Sequence, residues 1–155
     1  MDSNVLVYAE RGASVQCRRF LARLAEGEIR VTAPQPVWQE AAHRFMLAEA
    51  IEKHLISASR QVRQLSSKPA VVKALGLYQR KILALAHQGL GFEPCSREDL
   101  LNQAFKLQAH YGLLTNDSVL LAVALRLRAD ALATADVGFH GVAEIKVYRP
   151  SDLKA

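Results

Sequence analysis

Thr115–Thr134 reads TNDSVLLAVALRLRADALAT, and this stretch decides the fold class. From Asn116 to Arg128, the residues Val119, Leu120, Leu121, Val123, Leu125 and Leu127 leave the predicted helix almost no polar face. A helix that is apolar all round is a buried one. Thr115 opens it, and Arg126 and Arg128 sit at its C-terminal end, where the helix dipole favours cations. Ala131–Thr134 follows at once and reads as a short strand.

The same alternation continues outward. Downstream, Ile145–Tyr148 reads as a second short strand, joined through a loop around Gly138 and Gly141. Upstream, Ser96 with Asp99 forms a capping-box-like start to a helix carrying Leu100, Ala104 and Leu107, and Gly112 ends it. Phe92–Cys95 reads as a short strand after Gly89 and Gly91. Two amphipathic helices are predicted before it, one marked by Leu55, Ala58, Val62 and Leu65, the other by Val71, Leu75, Tyr78, Ile82 and Leu85. Nearer the start, Ile29–Ala33 reads as a strand that Pro34 and Pro36 break, opening a helix with an apolar stripe of Val37, Ala41, Phe45 and Ala48. Cys17, Phe20, Leu21 and Leu24 mark a helix stopped by Gly27. Val5–Tyr8 is a strand or a buried first helix, and periodicity alone does not separate the two. Short strands alternating with helices predict an α/β fold with a parallel sheet, in which function gathers at the carboxyl ends of the strands.

A length of 155 residues predicts one domain, able to bury its own core. The formal net charge of +5 favours a polyanionic partner. Cys17 and Cys95 are the only cysteines and have no metal spacing, so they read as reduced thiols of a cytoplasmic protein. No secretory leader is expected before Asp2 and Asn4, and the longest apolar run, Val119–Leu125, is far too short to span a bilayer. A soluble intracellular protein with no membrane partner is the expectation.

Four acids stand at chemically suggestive places. Asp2 precedes the first apolar run, Glu40 lies beside the stripe of its helix, Asp117 opens the buried helix, and Asp136 follows the strand Ala131–Thr134. Singly, each has an ordinary reading: Asp2 as an N-cap, Asp117 as a first-turn acid, Asp136 as a turn residue and Glu40 as an edge charge. Jointly, they would crowd one edge of the sheet. Two unit charges 4 Å apart repel by roughly 4 kcal/mol at an effective dielectric of 20. Such a cluster needs a cation or takes up protons, and a hard Mg²⁺ or Mn²⁺ suits all-oxygen ligands. Other chemistries lack support. His43, His54, His87, His110 and His140 show no zinc spacing, and no phosphate-binding glycine loop, dinucleotide fingerprint or serine-nucleophile elbow is present.

The fragments carrying these acids resemble the PIN-domain family, and within it the VapC-type toxins of bacterial toxin–antitoxin pairs. The opening Asp2-Ser3-Asn4-Val5-Leu6-Val7-Tyr8-Ala9 looks like the family's first motif. Pro36-Val37-Trp38-Gln39-Glu40 looks like the helix that supplies its glutamate. Leu114-Thr115-Asn116-Asp117-Ser118 looks like its helix-opening aspartate motif, and Leu132-Ala133-Thr134-Ala135-Asp136-Val137-Gly138-Phe139 like its last acidic loop. Tyr148-Arg149-Pro150 resembles a common ending. The resemblance implies a single-domain, three-layer α/β/α sandwich with a short parallel sheet, spanning 1–155, with a helical elaboration at about 50–89. It implies a metal-dependent endoribonuclease in which Asp2, Glu40, Asp117 and Asp136 hold Mg²⁺ or Mn²⁺. The ion would activate a water against the RNA phosphodiester, while Asn4 and Thr134 support the acids and Ser3 and Thr115 act as caps. It further implies the toxin role, a cognate antitoxin and a homodimer, with Arg11 or Arg44 available to steer the RNA backbone.

Two departures accompany the resemblance. The family carries several apolar residues before its first aspartate, whereas only Met1 precedes Asp2 here; the expectation is a first strand that begins upstream, or a stunted one with a mobile Asp2. Gly138 stands where many relatives have another acid. The alternative function is a catalytically impaired module acting by binding antitoxin or RNA, and a DNA-directed nuclease is a third reading.

Overall fold

Proline and glycine set the first ladder. In the computed structural model, which describes residues 1–96 and 98–153, Thr32–Pro34 forms β1 and pairs in parallel with β2, Gly91–Glu93, through Thr32↔Gly91, Ala33↔Phe92 and Pro34↔Glu93. Pro34 cannot donate to a ladder, so the strand ends there and α3, Gln35–Glu52, starts with Pro36 in its first turn. Gly91 is required by close approach: a Cβ there would lie 3.0 Å from Thr32 Oγ1 and 3.4 Å from the Val31 carbonyl. Trp38 of α3 locks the ladder by donating its indole N–H to the Ala33 carbonyl at 3.1 Å.

A second parallel ladder joins β3, Ala131–Ala133, to β4, Lys146–Tyr148. The two ladders are bridged by the first two residues. The Met1 amino group donates to the Thr32 carbonyl at 3.0 Å, and the Asp2 N–H donates to the Ala133 carbonyl at 2.9 Å. Met1 and Asp2 therefore occupy the central strand position, and both are 7 % exposed. Burial pulls the Met1 amino group down to about 6, against a smaller upward pull from the Asp2 charge. Beside Met1, a cavity of about 580 Å³ lies between the β1 and β3 regions, lined by Ile29, Val31, Thr32, Leu127 and Leu132 among others.

Helices cover these strands. Val5–Tyr8 resolves as part of α1, Ser3–Glu10: Asp2 is the last extended residue, and Val5, Leu6, Val7 and Ala9 are buried against α2, Val15–Ala25, and α3. Ser14 caps α2 by accepting from the Cys17 N–H and donates to Asp152 near the far end of the chain. The buried helix predicted from Thr115 is α8, Thr115–Arg126, and its lack of a polar face has a concrete cause. Leu120, Leu121 and Ala124 enter the main core, while Val119, Ala122 and Val123 pack with Leu100 and Ala104 of α7, Glu98–Tyr111. The capping box expected at Ser96–Asp99 lies outside the described residues. This is the small α/β fold with short parallel strands that the alternation predicted.

The segment after α3 differs from expectation. Only Gln61–Ser66 is helical where Leu55–Leu65 predicted a helix, because His54 and Arg60 adopt left-handed backbone at φ 56° and 50°. The predicted helix Val71–Leu85 is split into α5, Pro69–Ala74, and α6, Leu77–His87, with α4 being Gln61–Ser66. The break is held by Glu49 of α3, which accepts from the Gly76 N–H at 3.2 Å and the Tyr78 N–H at 2.8 Å. A buried carboxylate at the start of α6 satisfies donors that a continuous helix would have paired internally. Around it, Leu47, Ala50, Ile56, Leu65 and Leu75 form a separate small core. Among the described residues no helix is long and apolar enough to cross a membrane. Cys17 and Cys95 are free thiols.

Candidate active site

Each of the four acids leaves the fold at the carboxyl end of a strand or the start of a helix. Asp2 follows Met1 in the central strand position; Glu40 lies on the second turn of α3, just past β1; Asp117 is in the first turn of α8; Asp136 follows β3. In a parallel sheet these points fall on one edge, and Asp117 registers the convergence. Its half-buried carboxyl is raised from 3.8 to about 6, first by burial and then by the charges of Asp136, Asp2 and Glu40. Among the described residues, no group of three or more His, Cys, Asp and Glu side chains is drawn together tightly enough to hold an ion. The acids act on one another as charges but stand apart as ligands.

Asp2 is the most firmly held. Its Oδ2 accepts from Thr134 Oγ1 at 2.6 Å and from Asn4 Nδ2 at 2.6 Å, and its Oδ1 accepts more weakly from Ser3 Oγ at 3.4 Å. Asp2 is the N-cap residue of α1 by position only, since its side chain accepts from none of that helix's N–H groups. The expectation of a mobile Asp2 is therefore corrected: a backbone bond to β3 and hydrogen bonds from three side chains fix it. Thr134 is fully buried and works in two directions, donating to Asp2 and accepting from the Asp136 N–H at 3.0 Å. Asn4 likewise joins both ends of the chain, since its Oδ1 accepts from the Ala135 N–H at 2.9 Å.

Asp136 is a turn residue in its geometry as well as a candidate ligand. It caps the 3-10 helix Val137–Gly141 by accepting from the Gly138 N–H at 2.7 Å. A Cβ at Gly138 would stand 3.2 Å from that same Oδ1, so glycine lets the loop fold tightly over the carboxylate. Glu40 is 41 % exposed and faces Arg44 at 3.4 Å, one helical turn on, a pair that contributes little by itself. Arg11 and Arg44 share a small recess with Lys81, Glu10 and Glu52 between α1, α3 and α6.

Two cap readings do not hold. Ser3 donates to Asp2 rather than capping α1, and Leu114, not Thr115, is the N-cap residue of α8, with no side-chain cap bond. One supporting residue went unread in the sequence. Arg149 donates to the Ala135 carbonyl at 3.2 Å and contacts His140, bracing the loop that carries Asp136. Its only signal was the Tyr148-Arg149-Pro150 ending, which no spacing rule ties to the acids.

The donor set is all carboxylate oxygen and crowded in charge, with Arg44 beside Glu40 as a counter-charge. That chemistry fits a hard divalent cation better than a soft or borderline one. The family model described as PIN domain matches residues 1–145. Neither the curated proteins nor the solved structures yield a match.

Proposed function

Because the chain belongs to the PIN-domain family, whose members are generally metal-dependent nucleases, we propose that it is an endoribonuclease using Mg²⁺ or Mn²⁺. The carrying observation is that Asp2, Glu40 and Asp136, from three distant parts of the chain, all add to the raised affinity of Asp117 for its proton. Asp2, Glu40, Asp117 and Asp136 would hold the ion. A divalent ion there supplies an acidified water and offsets negative charge on the phosphate. The chain's own residues do the rest. Thr134 and Asn4 fix Asp2, Thr134 and Gly138 fix Asp136, and Asp117 would join the donor set in its ionised form. Magnesium affinity consequently increases as pH passes upward through about 6, where Asp117 ionises.

We read the chain as one nuclease unit with a helical elaboration at about 50–89. Its biological role in this reading is that of the toxin of a type II toxin–antitoxin pair, acting on RNA in the cytoplasm, neutralised by a cognate antitoxin and paired as a homodimer. The separation of the acids favours a second reading, a module that binds antitoxin or RNA without cutting.

Cleavage of mixed RNAs separates the two. The wild-type protein with Mg²⁺ should cut. EDTA should stop it, and Asp117→Asn should reduce it by at least about 100-fold, beyond the roughly 10–100-fold that loss of a ligand's supporting partner costs. Full activity in EDTA or in the variant sinks the nuclease reading. Absence of cutting, with no Mg²⁺ binding by calorimetry, establishes the binding module. Competition by single-stranded DNA tests the choice of RNA.

A further inference from the structure

The positive charge of this protein is not spread over its surface. Seven of its twenty Lys and Arg residues fall between Lys53 and Phe92, and none of its fifteen Asp and Glu residues does. The rest of the chain therefore holds thirteen basic against fifteen acidic residues, so the whole net positive charge resides in this one segment. The segment includes α4, α5 and α6 and is fastened to the distal end of α3 through Glu49 and the small core around Leu65 and Leu75. Glu40 lies on the same α3, about 14 Å before Glu49 at 1.5 Å per residue.

Three of the seven cations are engaged. Lys53 pairs with Glu49 at 2.6 Å, Lys81 pairs with Glu10, and Lys68 donates to the Leu55 carbonyl at 2.9 Å. Arg60, Arg63, Lys73 and Arg80 are exposed, and among the described residues none of them forms an ion pair. Arg60 and Arg63 line a recess with Ser59, Gln64 and Ser67. The loop beneath is held still. Gln64 donates to Ser57 Oγ at 2.6 Å and to the Ser59 carbonyl at 2.6 Å, and accepts from the Ser57 N–H at 3.1 Å. Arg60, left-handed at φ 50°, is the N-cap residue of α4, Arg63 lies in that helix's first turn, and both border the same recess.

We propose that this segment is a phosphate-backbone platform, which holds a single strand of RNA for the acid edge; the identity of the strand rests on the nuclease reading above. Guanidinium groups match phosphate oxygens in a way an ammonium does not. The acid edge repels a polyanion, so a substrate needs attraction from somewhere else on the surface, and this segment, with seven basic residues and no acid, supplies the largest excess. A protein partner fits less well. No aromatic or aliphatic residue lines the recess, whereas protein interfaces centre on buried aromatic or aliphatic anchors. Val62, the exposed apolar side chain of α4, does not line the recess.

The test is binding of a labelled, mixed-sequence single-stranded RNA by fluorescence anisotropy in EDTA, across a salt series. The wild type is compared with a variant carrying Arg60→Gln, Arg63→Gln, Lys73→Gln and Arg80→Gln. Every phosphate that the variant fails to neutralise should flatten the log K against log salt slope by about 0.7 for a single strand. The variant should lose roughly two to three units of slope and at least about tenfold in affinity. Lysine in place of Arg60 and Arg63 should retain the slope, and an unchanged melting temperature shows that the variant is folded. Unchanged RNA affinity and slope overturn the proposal. So does a variant that keeps RNA binding and loses binding to polyglutamate, which assigns the face to an acidic protein. The assay requires no cleavage, so a failure of the nuclease reading shows separately, as a wild type that binds RNA and does not cut it.

Discussion

Glu49 and Asp117 are both acids withdrawn from water, and the molecule treats them in opposite ways. At the α3–α6 junction, burial pushes the Glu49 carboxyl up. The Lys53 ammonium and the N–H groups of Tyr78, Leu77 and Gly76 outweigh that push and bring it down to about 2. At the sheet edge, burial pushes Asp117 up and three further carboxylates push the same way, to about 6. The first carboxylate is fully supplied with donors and serves structure. The second is placed where its charge is opposed, which no structural need explains, and such discord is what the proposed cation site calls for.

The comparison breaks first at Glu49. A glutamine there imitates the protonated acid, so the depression of the carboxyl from 4.5 to about 2 translates into a loss of roughly 3 kcal/mol at neutral pH. Urea denaturation of Glu49→Gln should show it. Since the folded pKa lies below the unfolded one, the stabilisation is complete above about 4.5 and disappears as pH falls toward 2. The gap between wild type and variant should therefore close over that range. A gap that is flat in pH removes the structural role assigned to the charge.

Thr134→Val sharpens the other side. It keeps the shape of a fully buried residue but removes the hydroxyl that donates to Asp2 and accepts from Asp136. Cleavage or Mg²⁺ affinity should fall about 10–100-fold, the usual cost of losing a partner that orients a ligand. A change of less than twofold would mean that the edge is organised by something else.

The smallest effect is the most diagnostic. Asp117→Asn removes a charge the fold opposes, so the metal-free protein should melt higher, by a few degrees given about 2–4 °C per kcal/mol for a chain of this size. The raised folded pKa sets the sign: the penalty is absent below about 4 and complete above about 6, so the gain should appear only as pH rises through that window. A variant that melts lower at neutral pH would place Asp117 with Glu49, as a structural acid.

Much of this was legible in the residues themselves. The all-apolar helix Thr115–Arg126, the short strands after it and the order of four acids could each be read locally, because helix and strand periodicity and cap chemistry act over a few residues. Local rules failed where the deciding partner was far along the chain. Within Val71–Leu85, Gly76 is a local hint of a break, but the acceptor that holds it is Glu49 on another helix. Nothing near Val5–Tyr8 chooses helix over strand; that is settled because Met1 and Asp2 already complete the bridge between Thr32 and Ala133.

The sequence by itself determined the α/β alternation and the buried helix and placed four acids beside strand ends and helix starts, because these depend on side-chain type and short-range spacing. Only the tertiary structure decided that Asp2 is held by Thr134, that Thr134 also holds the Asp136 backbone, and that Glu49 and Asp117 are opposites. Those are properties of charge and hydrogen bonding between residues far apart in the chain, and they exist only once the fold has brought the residues together.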